Sequence, residues 1–250
     1  MKPSVFLAFA ALAAVAGPNA EKAAAAPAKA AHSAASRAQD WTLTVNKAPS
    51  GGFVMGNPDA KVKLIEYGSM TCPHCARFDE SAVPKLVAGY VKTGKVSWEF
   101  RNYVRDATDV TASLVARCGG TKAFFPATRA LYKEQASWEK KIGDAPQDAL
   151  EKINDLPLNQ KFLAVAKLVG FQQWAAARGV PVKKSTQCLT SEDSVNQLVQ
   201  MTSDASTQFP DFPGTPTFVI NGTMVEFGKV TEDEVWPTLE AQIKSALGQG

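Results

Sequence analysis

The 250-residue chain has only two histidines and four cysteines, and beyond its first twenty residues it has no apolar run of the ~18 residues that a membrane-spanning helix needs. One of the two histidines, His32, falls in a low-complexity stretch, which leaves His74 alone for the folded part. Zinc asks for about four Cys, His or carboxylate donors, commonly as two closely spaced pairs. Cys118 and Cys188 stand singly, so no second pair completes such a set. The formal charge is +3 with no block of like charge, which removes the basic stripe of a nucleic-acid binder and the charged tail of a membrane-surface protein. No internal repeat points to a solenoid or propeller. Against these absences stand 45% hydrophobic residues, with 5 Trp and 13 Phe, enough to bury a sizeable core.

The first twenty residues read as a signal peptide. Lys2 supplies a positive start, "VFLAFAALAAVA" at 5–16 supplies a short apolar core, and Gly17 and Ala20 place cleavage near Ala20. An uncleaved anchoring helix is the alternative. Residues 21–40 form an Ala-rich tether, "EKAAAAPAKAAHSAASRAQ" and Asp40, with almost no large apolar side chain to bury. The tether could turn helical and act as a stalk. The mature protein is then expected to be soluble, in the periplasm or another oxidising compartment where disulfides persist.

Beyond the tether, residues 41–45 alternate like a short strand, and 51–60, "GGFVMGNPDA", carry turn chemistry. Residues 61–69, "KVKLIEYGS", have the content of a buried strand, with Glu66 as its odd member. A helical pattern through Phe78, Val83, Leu86, Val87 and Tyr90 follows to about residue 93, with a kink expected at Pro84. A strand is expected over 95–104. From 106 to 208 only helical signals appear, as four amphipathic pieces: 111–118; 122–138, interrupted near its start by Pro126; 158–177, with Leu158, Phe162, Val165 and Val169 on one stripe; and a helix capped by Ser191, with Val195, Leu198 and Val199. The β signal returns at 215–228 as a hairpin about Asn221-Gly222, and Thr231 with Glu234 makes a capping box for a last helix. Pro237 bends that helix or delays its start. The order predicts an α/β fold in which residues 41–105 and 209–250 form one domain and 106–208 a helical insertion.

Between the strand at 61–69 and the helix that follows it stands "SMTCPHCARF", 69–78. With Cys72 as helix N-cap, Pro73 takes the first helical position, where its missing N–H costs nothing, and Cys75 comes third, on the same side as Cys72. A thiolate on Cys72 would accept the free N–H groups of the first turn and sit at the positive end of the helix dipole. Both effects lower a thiol pKa that is ordinarily near 8.5. His74 can donate to that thiolate or place positive charge beside it. Taken alone, the pair could be a redox dithiol, half of a metal site or a structural staple. The missing ligands weaken the metal site, and the strand-to-helix position weakens the staple.

The stretch "GGFVMGNPDAKVKLIEYGSMTCPHC", together with "GTPTFVING" at 214–222, resembles the DsbA-like branch of the thioredoxin superfamily over roughly residues 50–248. The resemblance implies a thioredoxin fold with an inserted all-helical subdomain. It makes Cys72 the surface-facing nucleophile that forms a mixed disulfide and Cys75 the more buried partner that resolves it. It makes Thr215-Pro216 a cis-proline loop lying against the cysteines, with the Thr215 backbone left for a substrate strand. It puts Glu66 beneath the disulfide as a proton relay to Cys75, where the bland alternative is a solvent-facing strand-edge acid. Cys118 and Cys188 both fall in the helical segment, and in an oxidising compartment they are expected to pair, as a second disulfide does in some DsbA-like proteins. Closing that loop would stabilise folding by roughly 4 kcal/mol. Free or regulatory thiols are the alternative.

The function implied is a periplasmic oxidase that passes its Cys72–Cys75 disulfide to exported, folding proteins and is reoxidised by a DsbB-type membrane partner. It needs no metal or organic cofactor, binds no nucleic acid and works as a monomer. Two rivals remain: an isomerase or reductase on the same scaffold, oligomeric through its N-terminal segment, and a thiol-based metal-binding or chaperone module of a different class.

Overall fold

A computed structural model describes residues 39–249. The expected signal peptide and nearly all of the tether lie outside the described residues. Six strands form one sheet: β1 (Val45–Lys47), β2 (Phe53–Met55), β3 (Val62–Gly68), β4 (Val96–Asn102), β5 (Thr217–Ile220) and β6 (Thr223–Met224), in the order β1-β2-β4-β3-β5-β6. Only β3 and β4 run parallel, joined by a helical crossover; every other neighbouring pair is antiparallel. Val62, Leu64, Glu66 and Gly68 share one face of β3, because successive side chains of a strand alternate. That face meets the main core, whereas Tyr67 on the other face packs with Ala205 and Val219 in a small second cluster.

The crossover begins with α1 (Pro73–Ser81) and α2 (Val83–Leu86), continues as a wide π turn over Val87–Val91, and ends at Gly94. Where one kinked helix was expected, there are three pieces. Pro84 has no N–H to continue the ladder, so α1 stops at Ser81 and the helix restarts about the proline. Residues 41–45 also differ from expectation. Trp41–Leu43 is a 3-10 turn, because Asp40 accepts the Thr42 N–H at 3.1 Å and curls the chain before β1 begins. Conversely, the supposed turn at 51–60 contains β2, a strand too short to show a period among its glycines.

Between β4 and β5 the described chain is helical: α3 (Ala107–Cys118), α4 (Thr121–Lys133), α5 (Gln135–Gly143), α6 (Gln147–Asn154), α7 (Leu158–Val169), α8 (Phe171–Ala176), α9 (Val182–Leu189) and α10 (Glu192–Gln208). These are eight helices against the four expected. The 122–138 pattern passes through Pro126 unbroken and divides at Glu134 instead. The 158–177 pattern divides at Gly170, whose φ of +85° is the left-handed conformation that ends a helix. The short helices α6 and α9 each open after a proline and carry no long apolar stripe. Phe162, Val165 and Val169 are buried, but Leu158 is 59% exposed at the first turn of α7, and Val199 is 52% exposed on α10. One continuous buried cluster runs from Phe53 and Leu64 through Phe124 and Leu131 to Leu198 and Ile243, so the insertion shares the sheet's core.

The hairpin turns through Asn221 (φ 49°) and Gly222 (φ 89°), as a two-residue turn requires. The last helix, α11 (Glu232–Leu247), starts where the capping box places it, with the Glu234 carboxylate accepting the Thr231 N–H at 2.7 Å. It is not delayed by Pro237, which lies inside it.

Candidate active site

The chain leaves β3 at Gly68, turns through Ser69–Thr71 and enters α1 at Pro73, with Cys72 as an extended N-cap (φ −89°, ψ 118°). Proline's fixed φ suits the first helical position, so the motif itself nucleates the helix that presents its thiols. Cys72 and Cys75 are both free thiols, 3% and 0% exposed. Cys72 is therefore more covered than a surface-facing nucleophile would be. The Thr215 carbonyl lies against it and accepts from the Cys72 thiol at 3.0 Å. The Thr215–Pro216 peptide bond is cis. Pairing of Thr217 with Tyr67 of β3 brings this loop over the head of α1, and the Thr217 hydroxyl closes it by donating to the Gly214 carbonyl at 2.6 Å.

The two thiols are driven apart in acidity. Cys72 is brought down to about 5, first by the hydrogen bond from the Cys75 thiol, against the opposing effect of burial, and then by the Thr215 side chain and the N–H groups of Cys75 and His74. No first-turn N–H makes a full capping bond to the sulfur. Burial pushes Cys75 well above its ordinary value, and the charges of Cys72 and Glu66 add to that. Glu66 is 1% exposed on the core face of β3, not at a solvent-facing edge. Trp98 Nε1 on β4 donates to its Oε2 at 3.0 Å. Burial, seconded by the charge of Asp79, pushes this carboxyl up to about 8, so it holds a proton at neutral pH.

His74 turns away from the thiols. Its Nδ1 lies 2.6 Å from Glu232 Oε1 at the start of α11, and Arg77 shares the same carboxylate. The imidazole thus ties α1 to α11, and it is the backbone N–H of His74 that acts on Cys72. Beside this tie runs a groove of about 230 Å³ lined by Phe78, Pro216, Val235 and Trp236.

Four residues that the sequence did not single out hold the segment before Cys72. Asp109 of α3 accepts from Ser69 Oγ at 2.6 Å, from the Met70 N–H at 2.8 Å and from the Arg105 N–H at 3.1 Å. Gln135 of α5 donates to the carbonyls of Met70 (2.7 Å) and Cys72 (3.1 Å). The Tyr132 hydroxyl of α4 donates to the Ser69 carbonyl at 3.2 Å, and the Arg105 guanidinium reaches the Ser69 and Thr71 hydroxyls. Gly68 makes this approach possible: a Cβ there would lie 2.5 Å from the Phe100 ring and 3.1 Å from the Tyr132 hydroxyl. The one available signal was Asp109 amid the apolar residues of α3, a carboxylate with no exposed face to occupy.

Cys118 and Cys188 are joined by a 2.01 Å S–S bond that ties the end of α3 to α9. Cys188 therefore lies within an unexpected helix rather than in the approach to the Ser191-capped one. Among the described residues, no three His, Cys, Asp or Glu side chains are grouped to hold a metal ion, and no helix is long and apolar enough to cross a membrane.

A family profile described as thioredoxin matches residues 48–244. A Rickettsia bellii protein with the provisional name protein-disulfide oxidoreductase is 28% identical over 181 residues, which are 72% of this chain and 61% of that protein. The chain thus spans about three-fifths of the length of the curated relatives it matches. Among solved structures, a protein-disulfide isomerase from Novosphingobium aromaticivorans superposes with a TM-score of 0.70 at 31% identity, covering 78% of this chain and 96% of that one. Wolbachia pipientis alpha-DsbA1 shares the fold with a TM-score of 0.60 at 21% identity, over 81% and 93% of the two chains. With the sheet, the inserted helices and the profile match in agreement, the chain belongs to the thioredoxin family and has a DsbA-like fold.

Proposed function

We propose that this protein is an exported thiol:disulfide oxidase that donates its Cys72–Cys75 disulfide to folding proteins. The observation that carries the reading is the opposed acidity of two thiols in one helical turn, Cys72 near 5 and Cys75 well above the ordinary range. A thiol that ionises this readily stabilises the reduced protein, and a stable reduced form makes the disulfide oxidising.

In the proposed cycle a substrate thiolate attacks Cys72 Sγ. The S–S bond breaks, its electron pair leaves on Cys75, and Glu66 supplies the proton that makes Cys75 a thiol. A second substrate thiolate then attacks the substrate sulfur of the mixed disulfide, and Cys72 leaves as a thiolate. The substrate is oxidised by two electrons and the protein is reduced by two. A DsbB-type membrane partner restores the disulfide. Pro216 and Thr215 form the rim against which the substrate backbone lies, and the Thr215 carbonyl exchanges Cys72 for the substrate. The groove beside Pro216 takes an apolar substrate side chain. Cys118–Cys188 is structural, and no metal or organic cofactor takes part. The N-terminal twenty residues direct export to the periplasm, residues 21–40 tether a monomeric domain, and the boundaries at 105 and 209 mark the ends of the helical insertion.

The test is oxidation of a reduced, unfolded protein by the purified oxidised chain. One disulfide per protein molecule should transfer, and Cys72→Ser should abolish it. A metal-binding or chaperone module would transfer none, and chaperone action would survive Cys72→Ser. A second reading is favoured by the 31% identity to a protein titled an isomerase. An isomerase would act best when reduced, rearranging scrambled disulfides faster than it oxidises dithiols.

A further inference from the structure

Beside the Cys118–Cys188 disulfide lies a small cavity of about 100 Å³. Five elements converge on it: Lys47 comes from β1, Phe53 from β2, Arg117 from α3, Cys188 from α9, and Ser194 and Gln197 from α10. Arg117 is largely buried there. Its guanidinium donates to the Asn102 side-chain oxygen at 2.9 Å, to the Gly51 carbonyl at 2.7 Å and to Gln197 Oε1 at 2.8 Å. It also lies over the Phe53 ring, 4.9 Å from the centroid. All of these partners are neutral. A buried charge is costly unless a countercharge meets it. Among the described residues, no carboxylate pairs with Arg117 or with Lys47. Burial alone brings Arg117 down to about 10, with no neighbouring charge to offset it.

The acids of this region are engaged or turned outward. Glu99, which lies against Gly52, is held by Arg101 at 2.7 and 3.0 Å and by the Ser50 hydroxyl. Glu192 and Asp193, in the first turn of α10, are exposed and do not line the cavity. The polar groups left at the cavity are donors. Among the described residues, the Lys47 ammonium, the Gln197 side-chain NH2 and the Ser194 hydroxyl donate to no protein group. Gln197 reaches its place because Gly51 has no side chain: a Cβ there would lie 2.9 Å from Gln197 Cδ. Two cations, two free donors and no acid suit an anion. The volume admits a halide or one oxyanion, and no nucleotide or peptide.

We propose that this cavity binds a small inorganic anion between Arg117 and Lys47. The anion supplies the missing countercharge. Arg117 is fixed by three acceptors, so it presents its remaining N–H groups without reordering, and Lys47 closes the site from the solvent side. Occupancy ties the β1–β2 hairpin to α3 and α10; an empty cavity is lined by two like charges. The site stands whether the dithiol oxidises or isomerises.

The experiment titrates the full purified chain with chloride or with phosphate and follows the chlorine and phosphorus NMR line widths. Ionic strength is held constant with gluconate, an anion too large for the cavity. The wild-type protein should broaden the signal saturably, at one anion per chain. Lys47→Glu, which offers Arg117 a carboxylate from within the chain, should abolish the broadening. Lys47→Gln should weaken binding about fivefold, as the loss of one partly exposed charge would. Lys152→Gln, at an exposed lysine of α6, should leave binding unchanged. Chloride broadening that phosphate reverses assigns the site to either ion, and broadening seen with one of them alone assigns it to that ion; both results support the site. No saturable broadening of either signal by the wild-type protein, or equal broadening in Lys47→Glu, overturns it.

Discussion

Cys72 and Cys75 share one helical turn, and their difference is made by a hydrogen bond and by depth. The Cys75 thiol donates to Cys72, and burial keeps Cys75 itself from ionising. His74 spends its ring on Glu232 and not on the thiolate. Following thiolate absorbance against pH, Cys75→Ala is therefore expected to raise the Cys72 pKa by a unit or more, about 1.4 kcal/mol per unit. His74→Ala is expected to move it much less. The reverse ranking would return the imidazole to the thiolate. Glu66 makes a prediction with the opposite pH trend. Its folded pKa, about 8, lies above the ordinary 4.5. The unfolded chain therefore releases this proton first, and stability falls as pH rises from 4.5 through 8. Glu66→Gln removes that dependence. In urea unfolding it should gain on the order of 2–5 kcal/mol over the native protein at pH 8, and little at pH 4. An equal gain at both pH values would mean that the carboxyl is not buried as a neutral acid.

At the scale of elements, the helical insertion supplies the grip on the active-site turn. Asp109 from α3, Tyr132 from α4 and Gln135 from α5 all bond to the Ser69–Cys72 segment. Asp109→Ala strands a buried hydroxyl and two backbone N–H groups, and should cost roughly 3 kcal/mol in denaturant unfolding. It should also slow disulfide transfer without abolishing it; an unchanged stability would show the clamp to be ornamental. The disulfide between Cys118 and Cys188 ties one of these helices, α3, to α9 by closing a separation of 70 residues. These elements were unequally legible in the sequence. The head of α1 could be placed because proline and cysteine act on their immediate neighbours. The hairpin and the last helix could be placed because Asn221-Gly222 and Thr231 with Glu234 are local signals. The clamp could not: its partners are 39 to 65 residues apart, and nothing local says which polar side chain of a helix turns inward. Helices α6 and α9 escaped for a related reason, being too short for a periodic stripe to emerge. Pro126 misled by suggesting a break where tertiary packing carries the helix through.

For the whole molecule, one core joins the sheet to the inserted helices, so the acidity of the dithiol depends on the fold's integrity and not on its motif alone. The thioredoxin family accommodates both oxidising and reducing members, and its shared architecture does not choose between them. The choice lies in how far the reduced form is stabilised, and here the Cys72 thiolate, the buried Cys75 and the neutral Glu66 all act in the same direction. The central claim is therefore the sign of one equilibrium, and the most direct measurement is the reduction potential of the Cys72–Cys75 pair in glutathione redox buffers. The account predicts a value more oxidising than about −200 mV, toward the oxidant end of the family's range. A value near about −270 mV, where reducing members of the family lie, would contradict it.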